Sequence, residues 1–287
     1  MNWADIQDPW LSTDGWDYDY PTSDKNNQSR VIYAEKQTTP ATSDVYQVKG
    51  PVLLPNSEEW TTGTVPWLMS PCLQTNLMDP PSQTPAARDV SGFHMFLPSQ
   101  PSPSELNGKK FATIHYSLPV SETNWKTITQ RFYLHRAIAQ AMQNDRCSTN
   151  FQENTLVNDH TVRWFSGMTG PRDLSHSVSM SSAYFPKYRV SLAVIYNCDE
   201  AQVKEIEELV TNSPEASSHS LLMVGIFAEL QANRILGAVI DSNRELDDIT
   251  EKLQKKTEKG EPAKFGYEEN EKLRNALLTA KRCEESA

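Results

Sequence analysis

The 287-residue chain lacks most of the short signatures that carry enzyme chemistry. Its eleven glycines are scattered, and the densest stretch, Gly167-Met168-Thr169-Gly170, fits neither a G-x-x-x-x-G-K-[ST] phosphate loop nor a G-x-G-x-x-G dinucleotide turn. No G-x-S-x-G nucleophile elbow occurs. The six histidines, at 94, 115, 135, 160, 176 and 219, never pair at metal-binding spacing. Cys72, Cys147, Cys198 and Cys283 form no C-x-x-C pair, so free thiols are expected instead of a zinc site or a disulfide framework. Residues 1–8 offer neither a basic start nor an apolar run, which excludes a secretory signal there and leads to the expectation of a cytoplasmic protein. Lys and Arg are outnumbered by Asp and Glu, giving a net charge of -10 and a pI near 5.1, a poor balance for binding a phosphate backbone. Nucleic acid is therefore not expected as a partner.

Hydrophobic residues are also scarce, at 38% with a mean hydropathy of -0.59, so part of the chain is not expected to bury a core. That part is residues 1–105, which hold thirteen of the eighteen prolines. Proline removes a backbone donor and restricts its predecessor, so this segment reads as a mostly disordered arm without long helices or central strands. At its start Trp3, Trp10, Trp16, Tyr18 and Tyr20 alternate with Asp5, Asp8, Asp14, Asp17 and Asp19. This aromatic and acidic pattern suits either a protein-binding segment or a solvated tail.

From 106 the pattern changes to that of an α+β fold, a mixed α/β sheet domain over 106–217 followed by a long C-terminal helical region over 218–287. Residues 111–118 alternate as a strand. Trp125, Ile128, Phe132, His135, Ala139 and Met142 recur at three and four, predicting a helix capped by Ser121 or Thr123. Residues 161–165 read as a short strand, and 189–196 as one buried on both faces. Asp199 followed by Gln202 is close to a capping box, and Val203, Ile206, Leu209 and Val210 mark the buried stripe of the next helix, which Pro214 stops. Three features here could carry chemistry. A single histidine on an apolar helix face, His135, is more often a core residue than a base. His160 beside Asp159 and Asp173 near His176 lack a neighbouring nucleophile. Asp199 and Glu200 could hold a cation at a strand's carboxyl end, but the cap already accounts for Asp199.

The region after 218 opens with an apolar run from Leu221 to Leu230 that Glu229 interrupts, shorter than the roughly 20 residues of a membrane span. Beyond it Ile235, Val239, Ser242, Leu246, Ile249 and Leu253 keep a four-three spacing. That is a heptad seam, predicted to bind a second helix, either from residues 265–278 or from another subunit.

Three blocks, 125–139, 191–210 and 218–235, together resemble a family of fungal CorA-like proteins related to the cytosolic part of CorA-type magnesium channels. In the third block His219, Leu221, Leu222, Gly225, Ile226, Phe227, Ala228, Glu229, Leu230 and Arg234 match the family's His-Pro-Leu-Leu-Leu-Pro-Gly-Ile-Phe-Ala-Glu-Leu-Glu-Arg pattern, whereas Ser220, Val224 and Gln231 depart from it. The resemblance covers residues 106–250 and implies a soluble domain leading into a long helix. It also implies Mg²⁺ as the one ion to consider, although the residues themselves point to no cofactor. Neither a pair of membrane helices nor the family's Gly-Met-Asn signature occurs in the sequence, so ion conduction is not expected. The function expected is non-enzymatic, acting through helix-mediated self-association or partner binding. A cation-responsive domain or a truncated transporter relative is the alternative, and an enzyme without a recognisable motif is the third.

Overall fold

The computed structural model describes residues 17–18, 29–36, 46–54, 91–98, 117–118, 122–134, 148–157, 160–168, 178–196, 198–258 and 267–284. Its strands are β1 (Asp17–Tyr18), β2 (Ser29–Lys36), β3 (Tyr46–Leu54), β4 (Gly92–Leu97), β5 (Ser117–Leu118), β6 (Ser148–Val157), β7 (His160–Met168), β8 (Ser179–Phe185) and β9 (Val190–Tyr196). Its α-helices are α1 (Glu122–Arg131), α2 (Glu200–Asn212), α3 (Leu222–Glu258) and α4 (Tyr267–Glu284), with a 3₁₀ turn at Pro214–Ser218 between α2 and α3. Two compact units result, Met1–Phe227 and Ala228–Ala287, and the division falls inside α3.

The first unit is built on a seven-stranded mixed sheet in the order β3-β2-β4-β9-β8-β7-β6, while β1 and β5 form a separate parallel pair. Every pairing in the large sheet is antiparallel except β4 with β9. These two central strands read GFHMFL and VSLAVIY, and all thirteen of their residues are buried. A strand apolar on both faces requires cover on both faces.

The register shows which cover each face receives. Phe96, Val194 and Ser181 share one face, as do Tyr196, two residues along β9, and Phe185, four residues along β8. This face takes α1 and the residues just after it: Trp125 meets Tyr196 edge-on at 6.1 Å, Phe132 lies 6.3 Å from Phe96, and Tyr133 packs on Phe185 at 5.1 Å. The opposite face presents Arg30, Phe165 and Gly167. Glu200 at the start of α2 forms a salt bridge with Arg30, and Phe227 on α3 meets Phe165 at 5.1 Å. The mixed α/β sheet domain and the long C-terminal helix are as the sequence predicts.

Two expectations need correction. Residues 1–105 are not uniformly an arm outside the sheet, because β2, β3 and β4 all come from them and β4 is central. The prolines misled for a positional reason. Pro51 sits on the edge strand β3, where a missing donor faces no neighbour, and Pro98 follows the last residue of β4. Asp17 and Tyr18 form β1, while Trp3, Trp10, Trp16 and most of the rest of 1–105 lie outside the described residues, as does most of the strand expected at 111–118. The second correction is that α1 stops at Arg131 although its apolar spacing continues to Met142. Tyr133 takes a left-handed φ of 50°, and the Leu134 N–H donates to the Thr129 carbonyl at 3.3 Å, the closing bond of a Schellman end. Burial of Phe132 and Leu134 in the core holds that turn in place, so packing overrides periodicity here. His135, Ala139 and Met142 lie outside the described residues.

The helix from Glu200 follows its sequence signals closely. Gln202 N–H donates to Asp199 Oδ1 at 2.8 Å, and Asp199 N–H donates to Gln202 Oε1 at 2.9 Å, completing the capping box. Val203, Ile206 and Val210 form its buried stripe.

Two glycines give opposite expectations for the same substitution. Gly92 opens β4 at φ +135°, and a Cβ there would lie 2.0 Å from the Ala34 carbonyl oxygen on the paired strand. Gly92→Ala should therefore cost about 3 kcal/mol or prevent folding. A Cβ on Gly237, inside α3, meets nothing within 4 Å. Gly237→Ala should raise stability by about 0.5 to 1 kcal/mol, the ordinary helix-propensity gain. Urea midpoints of the two variants and the parent decide both expectations.

Candidate functional site

The segment that carries the family resemblance divides into an anchoring side and an open side. His219 sits at the junction, where its Nδ1 accepts from the Leu221 N–H at 3.2 Å and its carbonyl accepts from the Leu222 N–H at 3.2 Å. It works as a cap for α3, satisfying donors that the first helical turn leaves unpaired. On the anchoring side Met223, Ile226, Phe227 and Leu230 are buried. Phe227 fits because β7 presents no side chain opposite it: a Cβ on Gly167 would come within 2.8 Å of the Phe227 ring. On the open side Leu221, Gly225, Ala228 and Glu229 are exposed, and Leu222 is half-buried.

Both carboxylates at the end of β9 are engaged by the protein. Asp199 closes the capping box, and Arg30 holds Glu200, its hydrogen bond being the main reason that carboxyl sits below the usual carboxylate range. Among the described residues, no group of three or more His, Cys, Asp or Glu side chains is placed to hold a metal ion. Cys198 is a buried free thiol, pushed well above the ordinary cysteine range first by burial and then by the charges of Asp199 and Glu205. Such a thiol is inert as a nucleophile. His160 belongs to β7, while His115, His135, Asp159, Asp173 and His176 lie outside the described residues.

One titratable grouping among the described residues was not marked by any sequence motif. His94 is fully buried on β4, stacked on Tyr33 at 5.1 Å with 8° between the rings, and its Nε2 lies 3.7 Å from Glu35 Oε1. Lys49 Nζ lies 5.6 Å from the centre of the same Tyr33 ring. Register produces the grouping, since Tyr33 is directly opposite both His94 and Lys49. Burial pushes His94 down to about 3, so it stays neutral across the ordinary pH range. The grouping reads as structural.

The most extensive open feature belongs to the second unit. On α3 Ala232, Leu236, Val239, Ile240, Asn243 and Leu246 recur at three and four and are all exposed, with Leu236 at 57%. Of the predicted seam, Val239 and Leu246 belong to this stripe, Ile235 is half-buried at its margin, Ile249 is buried at 4%, and Leu253 has no described side chain. The open stripe is thus turned round the helix toward Leu236 and Ile240, which a strict four-three count omits. On α4 Leu277, at 62%, and Leu278 are exposed, while Ala276 is buried. By length and composition alone Leu222–Lys252 is also long and apolar enough to cross a membrane.

No family model, curated protein or solved structure matches the chain.

The state of His94 leads to a measurable pH dependence. Its folded pKa lies below the ordinary value of 6.5, so the unfolded chain binds the proton more readily. The associated stability is complete above about pH 6.5 and is lost as the pH falls from there toward 3, by about 1.4 kcal/mol for each unit. Urea unfolding at pH 7, 5 and 4 should show that loss in the parent. His94→Phe, which keeps a ring against Tyr33, should show a visibly shallower decline over the same range.

Proposed function

We propose that this chain is a non-enzymatic, cytoplasmic protein of CorA-like type that works by association of its C-terminal helices with a second copy. The observation that carries the reading is the open apolar stripe Leu236, Val239, Ile240 and Leu246. Several large aliphatic side chains clustered on one side of one helix have a cost in water that association removes, about 25 cal/mol for each Å² covered. The CorA-like part is supported by the matching motif, whose buried members Ile226, Phe227 and Leu230 anchor the beginning of a 37-residue helix. That is the role the resemblance implies for the block.

A membrane is the less suitable partner for this stripe. Insertion of α3 as a span would bury Glu229 and Arg234, each at about 2.5 to 3.5 kcal/mol at mid-membrane. Lying flat on a bilayer is disfavoured as well. From Asp241 to Glu251 the helix carries Asp241, Glu245, Asp247, Asp248 and Glu251 against Arg244 alone, whereas helices that lie on anionic membranes present Lys and Arg.

Sedimentation velocity of the full chain should show a reversible dimer or higher oligomer. Leu236→Asp combined with Val239→Asp should shift it to monomer while leaving the helical circular dichroism unchanged, since neither side chain is buried in the single chain. A wild-type protein that stays monomeric at every concentration would sink the reading.

A further inference from the structure

Two arginines and a set of hydroxyls meet on the sheet face opposite α1, at the end where β8 turns into β9. Register places Arg163, Tyr184 and Ser191 side by side across β7, β8 and β9, so all three project from one face. The 3₁₀ turn at Pro214–Ser218 reaches that row: Tyr184 OH donates to the Ser218 carbonyl at 3.4 Å, and Arg189 Nη2 donates to Ser218 Oγ at 2.8 Å. Arg189 makes this bond from a backbone with a left-handed φ of 55°, a conformation that glycine adopts more cheaply. Burial raises the Tyr184 phenol above its ordinary pKa, and the charges of Arg189 and Arg163 both act against that rise, while Tyr46 adds to it. Both guanidinium groups therefore lie within electrostatic reach of one hydroxyl.

Two further hydroxyls lie on these elements with no hydrogen-bond partner among the described residues. Ser191 Oγ and Ser217 Oγ are both buried, each residue being 1% exposed. A buried hydroxyl left unpaired is costly, and such a group points to something that pairs it. The row also opens to solvent, since Arg163 and Tyr184 are half-buried and Arg189 is exposed. Lys187 and Glu215, exposed on the two turns, are of opposite sign and offset one another. We propose that Arg163, Arg189 and Tyr184, with the hydroxyls of Ser191, Ser217 and Ser218, bind the phosphate group of a small molecule. A phosphate monoester carries about two negative charges and several acceptor oxygens, which match two guanidinium forks and the hydroxyls beside them. A carboxylate would balance only one of the cations. A guanidinium carries several N–H donors, so the bond to Ser218 does not by itself exhaust Arg189. With a net charge of -10 the chain as a whole repels a polyanion, which favours a single small phosphate over a nucleic acid.

The site lies wholly within Met1–Phe227, so its test is independent of self-association through the α3 stripe. Isothermal titration calorimetry follows the full chain with inorganic phosphate, and separately with glycerol phosphate, at constant ionic strength set with sodium chloride. Saturable binding is expected, and the tighter of the two compounds shows whether the source is inorganic phosphate or a phosphate ester. Arg163→Gln and Arg189→Gln should each weaken that binding at least about tenfold. Arg189→Lys keeps the charge but loses the planar fork, so it should weaken binding less, and it serves if Arg189→Gln disturbs the 3₁₀ turn. Ser191→Ala separates a ligand site from a structural role. Removing an unpaired buried hydroxyl should leave the urea midpoint without phosphate unchanged or raised, yet weaken phosphate binding several-fold. Absence of saturable binding for both compounds overturns the proposal, and so does binding that the arginine variants retain. A Ser191→Ala chain that loses stability and still binds phosphate like the parent removes that hydroxyl from the site.

Discussion

The constraint on which the first unit depends is the burial of β4 and β9 on both faces. These are the only neighbours in the large sheet that run parallel, and neither offers a polar face to solvent. A strand of that composition is stable only inside a layer covered from above and below. One face takes α1, whose Trp125 is completely buried against Tyr196. The other takes α2 and the first turns of α3. That second cover has a consequence for the rest of the chain. The helix supplying Phe227 to the sheet continues to Glu258, well beyond the last residue of the first unit.

Phe227 sits at the point where the two roles of α3 meet. Its ring fits because Gly167 leaves the space and Phe165 supplies an edge-on partner. Within α3 before it, Met223 and Ile226 are turned inward and Gly225 outward, the logic of a core. Residues after it reverse that logic at Leu236, Val239 and Ile240, which are large, apolar and exposed. The capped start at His219 and the buried Leu230 fix the helix firmly at one end. An apolar face on a rigid element loses little conformational freedom when it is covered, and pre-organisation of that type favours association.

How much of this was legible in the sequence depended on whether a local pattern or a distant partner decided the outcome. The α2 cap was legible because Asp199 and Gln202 satisfy one another within a single turn. The burial of β9 was legible because its run is apolar apart from Ser191. The end of α1 was not, since Tyr133 is held in a left-handed turn by contact with Phe185, fifty-two positions away. The sheet strands before residue 105 were hidden by prolines that lie at the edge or just past a strand end, where they cost nothing. The grouping of Tyr33, Glu35, Lys49 and His94 was equally hidden, because only the strand register brings these residues together. For the open stripe the seam was visible but its angle was not. A four-three count selects the narrow line of a coiled coil, whereas exposure selects a wider stripe that includes Leu236 and Ile240.

That difference in angle bears on the type of association. A symmetric coiled coil uses one seam on each helix and bordering positions of both signs, which lets like helices pair. Here the exposed charges along the stripe's side of α3 include Arg244, four residues after Ile240, as well as Glu229 and Asp247, so its border carries both signs. The apolar residues supply most of the free energy, as they do at protein interfaces generally. Association through α3 would therefore gain mainly by covering Leu236, Val239 and Ile240.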